Sequence, residues 1–372
     1  MANTITIDAN RQELWSKKLM QDVKRDVMNA MRFVATEEDG NGVVLLKRDL
    51  AKQKGDLQNF SLIARLSGDG VTGDAELEGN EESMSSFNEQ VAIDQIRNAV
   101  RLTGKLDAQK VVYDQIKSAR ENLRIWMKEF LIRQIFLKLG GVTNTSLTDV
   151  NGNVVGTRAI WSNTPDFIPD ADTASATGSG NRYLNAAGHS MATADSGDTM
   201  TLDLITDAVT KAELADPMIQ KIDMGGDSFY VCYMHNLQAR DIRKSPDWKT
   251  AQQNARERAE SNPVFKGALG FWSNCLLLSN EFVPWLDTSV AGNSFRGSGS
   301  GTDFGVDTAR ALLCGRQAVG IAEASNPDAL VVEQFDYKNK DGVATSFIGG
   351  VQKIMFNSLE FGVIAIDSAA IV

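Results

Sequence analysis

Six carboxylates, Asp69, Asp74, Glu76, Glu78, Glu81 and Glu82, crowd the stretch Ser67–Phe87, which is studded with glycine and has no lysine, arginine or proline. Clustered carboxylates can ligate a hard divalent cation, or divide acid and base roles when their environments push their pKa values apart. A solvated, glycine-rich loop gives them no fixed geometry for either task. Two further uses stay open beside cation binding: a solvated face held apart by self-repulsion, or a contact surface for basic patches on another subunit. A single surface ion pair is worth only ~0–1 kcal/mol. Repeated over many copies such pairs can direct assembly, and raised salt is then expected to loosen it.

Elsewhere the residues that could do chemistry are few. The only histidines are His189, in a polar region, and His235, at the end of a predicted strand. Both read as structural or incidental. No paired Cys/His spacing of a zinc site, no phosphate-binding P-loop and no G-x-S-x-G elbow occurs. "GSGSGTDFG" has the composition of a phosphate loop without a strand before it and a helix after it. "DVNGN" at Asp149 begins like a calcium loop, but its twelfth position would be Ile160, which cannot chelate. The expectation is no catalytic residue, no metal ligand and no cofactor, and so not an enzyme. Asp69, Asp74, Glu76, Glu78, Glu81 and Glu82 are the candidate inter-subunit contacts.

Composition narrows the class. The chain of 372 residues has 38 Lys+Arg against 48 Asp+Glu, a formal net charge of −10. Leu66 to Ile96 alone carries eight carboxylates and no basic residue, and so most of the imbalance. An acidic chain without a basic stripe is a poor ligand for nucleic acid, whose phosphates need Lys and Arg. The first residues lack the basic and apolar regions of a secretory signal, and no apolar run approaches the ~20 residues of a membrane helix. Cys232, Cys275 and Cys314 are odd in number and set in apolar runs, which reads as buried free thiols of a cytoplasmic product.

The elements that must position these residues follow from periodicity. Glu13 to Val34 has helical spacing, with a stop in "TEEDGNG". Phe60–Leu66 and Glu89–Leu106 read as two strand arms flanking the acidic tip, with a bulge expected near Gln95–Asn98, where the parity changes. A connection that long is uncommon unless it is functional or mobile. Ala108–Leu139 carries the strongest helical periodicity, with Asp107 as the expected N-cap and Gly140-Gly141 as the stop, a span of ~48 Å. Val142–Thr201 is a polar excursion, with a short hairpin at "DVNGNVVG". Helices at Leu202–Ala215, "NLQARDIRK" and Asp247–Ser261 alternate with strands at Ser228–His235, Asn274–Ser279, "ARALLCG" and "FGVIAID". A short helix from Arg316 and a hairpin turning at Asn339–Gly342 complete the prediction. The fold class is α+β in several compact units.

The string "RLSGDGVTGDAELEGNEESMSSFNEQVAIDQIRNAVRLTGKLDAQ" resembles the corresponding segment of a family of tailed-phage major capsid proteins, the group typified by the podovirus N-four coat protein. "NRYLNAAGHSM", "SFYVCYMHNLQARDIRKSPDW", "NPVFKGALGFWSNCLLLSNEFVP", "ALLCGRQAVGIA" and "GGVQKIMFNSLEFGVIAID" match in the order that the family shows, from about residue 40 onward. The resemblance implies the Hong Kong 97 type of capsid fold. Its parts would be an N-terminal arm over residues 1–45, an extended two-stranded loop over 46–107, a peripheral domain with the spine helix and the polar excursion over 108–201, an axial domain over 202–325, and a C-terminal hairpin and strand over 326–372 returning to the peripheral domain.

The implied function is self-assembly into the icosahedral shell around a double-stranded DNA genome. The alternatives are a cellular compartment shell of the encapsulin type and, more remotely, a carboxylate-based metal-dependent enzyme. The implied partners are further copies of the chain in pentamers and hexamers, a separate scaffolding protein, a portal and a decoration protein, with the polar excursion as its attachment site. DNA is enclosed without sequence-specific binding, and no membrane is involved. The product would be made and assembled in the host cytoplasm and end in the virion capsid. Some shells of this fold lock covalently through a lysine of the extended loop. No lysine lies between Lys54 and Lys105, so no such crosslink is expected.

Overall fold

The computed structural model describes residues 19, 21–28, 31–36, 40–48, 55, 57–63, 71–73, 78, 81, 86–110, 114–140, 146–148, 154–157, 182–186, 195–215, 218–224, 226–255, 269–286, 306–324, 330–337, 339–356 and 359–371. The first helix, α1 (residues 21–28), buries Val23 and Val27 on the face shared with Leu19 and Met31. This stripe packs into the chain's own core, and Asp26 pairs with Arg124 while Lys24 pairs with Glu323. Helical geometry ends at Met31, short of the expected Val34, because Arg32 takes a left-handed φ of 61°. The chain then enters β1 (Val34–Thr36) and β2 (Val44–Lys47), which pair in parallel.

Next comes an antiparallel hairpin of β3 (Leu57–Ile63) and β4 (Ser86–Ala92), in register from Leu57↔Ala92 to Ile63↔Ser86. β5 (Asp94–Arg101) follows after a single residue. In place of the expected bulge near Gln95–Asn98, the strand breaks at Ile93, where the chain leaves the hairpin and joins a different sheet. The predicted long helix is also divided. α2 (Lys105–Lys110) is separate from α3 (Gln115–Leu139), whose N-cap is Asp114 and not Asp107. The Asp114 side chain accepts from the amides of Ile116 at 3.0 Å and Lys117 at 3.1 Å. With 25 residues α3 is ~37 Å long. Its buried stripe runs through Leu123, Met127, Leu131 and Ile135, while Trp126 and Phe130 are only partly covered.

The remaining elements are the hairpin β6 (Ser146–Thr148) and β7 (Val154–Thr157), β8 (Tyr183–Asn185), α4 (Leu202–Leu214), β9 (Ile222–Met224), β10 (Asp227–Met234), α5 (Asn236–Lys244) and α6 (Pro246–Ala255). They continue with β11 (Gly270–Trp272), β12 (Cys275–Ser279), β13 (Trp285–Leu286), β14 (Thr308–Cys314), β15 (Val319–Glu323), β16 (Leu330–Phe335) and β17 (Lys340–Lys353). The short pair β18 (Met355–Phe356) and β19 (Leu359–Glu360) precedes β20 (Val363–Ala369). No helix starts at Arg316: residues 316–317 form a turn with φ 54° at Gln317, and β15 follows at once. The β16–β17 turn lies at Asp336 and Tyr337, both left-handed, and not at Asn339–Gly342.

Two sheets carry the architecture. The six-stranded sheet has β17 at its centre, β5 on one edge of it, β16 and β15 on the other, then β2 and β1. The eight-stranded sheet runs β11-β12-β10-β14-β20-β8, with β9 on β10 and β13 on β14. Side chains alternate across a strand, and the buried strands show it. Val231, Tyr233, Leu276, Leu312 and Val363 face α1 and α3, whereas Tyr230, Cys232, Leu277, Leu313 and Ile364 face α4, α5 and α6. The core containing α3 is shared with the inner face of the six-stranded sheet, through Val44, Val319, Val343 and Phe347. The long helix thus welds both sheets together.

Candidate inter-subunit contact site

The hairpin that carries the acidic segment is seated by aromatic packing on glycines. Phe60 on β3 is 2% exposed. It lies over Gly320, where an added Cβ would come within 3.0 Å of the ring, and Lys47 sits 5.8 Å above it. Val91 and Ala92 on β4 close over Gly350, where an added Cβ would be 2.1 Å from the Ala92 carbonyl oxygen. Phe60 and Val91 join Leu45, Ala322, Ile354 and Phe361 in a small core of their own. These contacts lie on the face of the six-stranded sheet turned away from α3.

Glu89 sits half-buried on β4, opposite Phe60 in the register. Burial pushes its carboxyl up to about 7, well above the ordinary carboxylate value. The base of the hairpin therefore holds a group that changes charge near neutrality.

A second constellation anchors the C-terminal end of α3. Arg310 on β14 donates to both Asp367 oxygens at 2.8 Å, and its Nη1 donates to the Gly140 carbonyl at 2.7 Å. Lys353 on β17 donates to Glu360 Oε1 at 2.5 Å and to the Leu139 carbonyl at 3.4 Å. Two cations thus meet the carbonyl end of the helix, the pole of its dipole that favours positive charge. Each is tied to a carboxylate from β20 or β19. Burial acts to lower Arg310, but the Asp367 carboxylate outweighs it and holds the guanidinium above its ordinary value. Burial pushes Lys353 down and Glu360 up. The anchor fixes helix, β14, β17 and β20 to one another. No sequence motif marks it. The available signal was an isolated arginine, lysine and aspartate inside apolar strands.

Of the candidate contact residues, Glu78 and Glu81 are described, and both are exposed. Asp69, Asp74, Glu76 and Glu82 lie outside the described residues, as does His189. His235 is a structural residue. Its Nδ1 accepts from the Leu237 amide at 3.3 Å, its ring stacks on Trp285, and Gln238 returns a bond to the His235 amide, making a capping box for α5. Cys232, Cys275 and Cys314 are free and buried, and burial pushes the thiols of Cys275 and Cys314 up, away from nucleophilic thiolates. Among the described residues no three His, Cys, Asp or Glu gather to hold a metal ion, and no helix is long and apolar enough to cross a membrane.

A profile described as phage capsid protein matches residues 3–372. The major capsid protein of Pseudomonas phage KPP25 is 28% identical over 389 residues, covering 99% of this chain and 97% of that protein. The capsid of Ralstonia phage GP4 superposes with a TM-score of 0.75 at 27% identity, covering 92% of this chain and 90% of that one. The capsid of cyanophage Pam1 gives a TM-score of 0.67 at 22% identity, with 90% of each chain covered.

Proposed function

Because this chain belongs to the phage capsid protein family, we infer its work from how such a protein must act as a subunit. It is a major capsid protein of the Hong Kong 97-like fold, and it forms the icosahedral capsid of a tailed phage. The observation that carries this is the extent of the likeness: it spans both sheets, the long helix and the hairpin, not one part of the chain. The role is structural, and the protein's place is the virion capsid.

The finer reading is ours. α3 acts as the spine, and the buried ion anchor at its end keeps the two sheets in one orientation while subunits press on one another. The parts are an arm over 1–45, an extended loop over 46–107, a peripheral domain over 108–201, an axial domain over 202–325 and a closing segment over 326–372. The acidic tip of the loop, with Asp69, Asp74, Glu76, Glu78, Glu81 and Glu82, reaches onto a neighbouring subunit. Pentamers and hexamers then close into a shell around double-stranded DNA in the host cytoplasm, with a separate scaffolding protein and a portal. A net charge of −10 keeps the subunit from clinging to the packaged phosphates. The N-four-like group is the closer affiliation supported by the "GDGVTGDAELEGNEE" string. Electron microscopy of the protein, produced alone and together with the products of its neighbouring genes, tests the reading. Closed particles from the second preparation are expected. Discrete subunits in both would overturn it.

A further inference from the structure

The six-stranded sheet ends on one side in β5, which among the described residues pairs with β17 alone. β5 is eight residues long, whereas β1, β8 and β11, at other ends of the two large sheets, have three each and β16 has six. An open edge is a template for pairing with another chain, and shortness is one natural defence. β5 does not have that defence. Leu102, the residue after it, donates its amide to the Asp341 carbonyl at 2.8 Å. Amides of an antiparallel strand alternate in direction. Those of Ile96, Asn98 and Val100 therefore point at β17, and those of Gln95, Arg97, Ala99 and Arg101 point out of the sheet. Two of these four outward amides are already engaged. The Gln95 amide donates to Asp94 Oδ1 at 2.7 Å, and the Ala99 amide donates to Asn98 Oδ1 at 2.8 Å. They alternate along the edge with the amides of Arg97 and Arg101, whose exposed side chains carry like charge.

We propose that Asp94 and Asn98 are guards: by holding the outward amides of Gln95 and Ala99, they keep the long edge of β5 from pairing with a second copy of the chain. A side chain that bonds a neighbouring amide offers the backbone an alternative to a sheet ladder. A strand arriving at this edge finds every second donor occupied and must break two bonds to use the full length. Arg97 and Arg101 add repulsion when the arriving strand is another β5. Both effects act against the wrong partner and leave every other contact untouched, which is specificity by exclusion. The capping stands on the geometry of β5 alone. Its use rests on the reading of the chain as a shell subunit, because many copies at high local concentration must join by their shell contacts and not edge to edge.

Sedimentation and hydrogen exchange of unassembled subunits test it. Asp94→Thr with Asn98→Val removes both caps with residues that favour a strand. Freeing two donors, each able to make one bond between chains, should strengthen self-association roughly 30-fold. The peptide spanning β5 should then gain amide protection as protein concentration rises. Asp94→Asn with Asn98→Asp keeps both acceptors and should behave as the unaltered chain. Arg97→Pro, added to the uncapped variant, removes an outward donor without touching the ladder to β17, and should reverse the association. Self-association of the uncapped variant within about threefold of the unaltered chain overturns the proposal. So does association that Arg97→Pro leaves intact, since it then runs through another surface. If the uncapped variant lacks normal circular dichroism, Asp94→Thr and Asn98→Val are measured singly, each with an expected rise of roughly fivefold. Two well-folded single variants without that rise overturn the proposal. With the neighbouring gene products, the uncapped variant should give aggregates in place of closed shells. Closed shells in normal yield from a variant that does self-associate overturn the use assigned to the guards. Failure of the unaltered chain to form shells counts against the shell reading instead.

Discussion

Replacing Asp367 by asparagine removes the countercharge of Arg310 and leaves the shape nearly unchanged. Arg310 is 3% exposed and Asp367 4%, and two parallel bonds of 2.8 Å join them. Breaking a buried ion pair by neutralising one partner costs about 3–5 kcal/mol, because a buried charge is left uncompensated. The remaining bond from Arg310 to the Gly140 carbonyl softens the loss but brings no negative charge. At about 1.4 kcal/mol per factor of ten, Asp367→Asn should speed amide exchange in β14 and β20 roughly 150- to 5,000-fold in unassembled subunits. The effect should reach the last turn of α3, since Arg310 ties it to β14. Arg310→Met with Asp367→Leu exchanges the pair for apolar groups of similar volume, and should restore most of the protection. Acceleration of less than about tenfold by Asp367→Asn would refute the view that this pair anchors the helix. So would a double variant as weak as the single one.

Glu89 gives the hairpin base a pH dependence. Its folded carboxyl titrates at about 7 against an ordinary 4.5, so its neutral form is favoured on folding, and that stabilisation is complete below 4.5 and lost as pH rises through about 7. Amide exchange in β3 and β4, corrected for intrinsic rates, should be slower at about pH 5 than at about pH 8. Glu89→Gln should erase the difference, and a difference that survives it would assign the effect elsewhere. Gly350→Ala places a methyl group 2.1 Å from the Ala92 carbonyl oxygen, so the hairpin base must shift. Closed particles should be lost with the circular dichroism of the subunit unchanged, and normal particles would show that the seat of the hairpin is dispensable. Shells boiled in denaturant should run as single chains, because no lysine lies between Lys54 and Lys105, and a ladder of covalent multimers would contradict this. Rising salt should release subunits, since the contacts assigned to the tip are exposed ion pairs.

Strong periodicity made the frame readable. The alternation in "YVCYM", "CLLL" and "ARALLC" belongs to strands buried on both faces, and α3 follows its apolar stripe. The errors fall where a local rule has two readings. Asp107 and Asp114 are equally good caps by type, and it is Asp114 whose carboxylate accepts from the first amides of α3. A parity change near Gln95–Asn98 is as compatible with a break in the strand as with a bulge, and it is the transfer of the chain between sheets at Ile93 that decides. The turn at Arg316–Gln317 has no glycine or proline at its left-handed position, so the local sequence gives no signal against a helix there. The ion anchor was hidden for another reason: Arg310 and Asp367 are distant in sequence, and only pairing of β14 with β20 brings them opposite. The acidic tip, by contrast, announces itself by charge, and its use follows from family likeness more than from local chemistry.

The central claim is that this chain is a shell subunit whose hairpin bridges to a neighbour. Cryo-electron microscopy of particles formed with the neighbouring gene products tests it most directly. The account predicts closed icosahedral particles in which the base of β3 and β4 stays seated on its own six-stranded sheet and the segment between them lies on the next subunit. Discrete subunits, or closed particles in which the segment between β3 and β4 touches only its own chain, would contradict it.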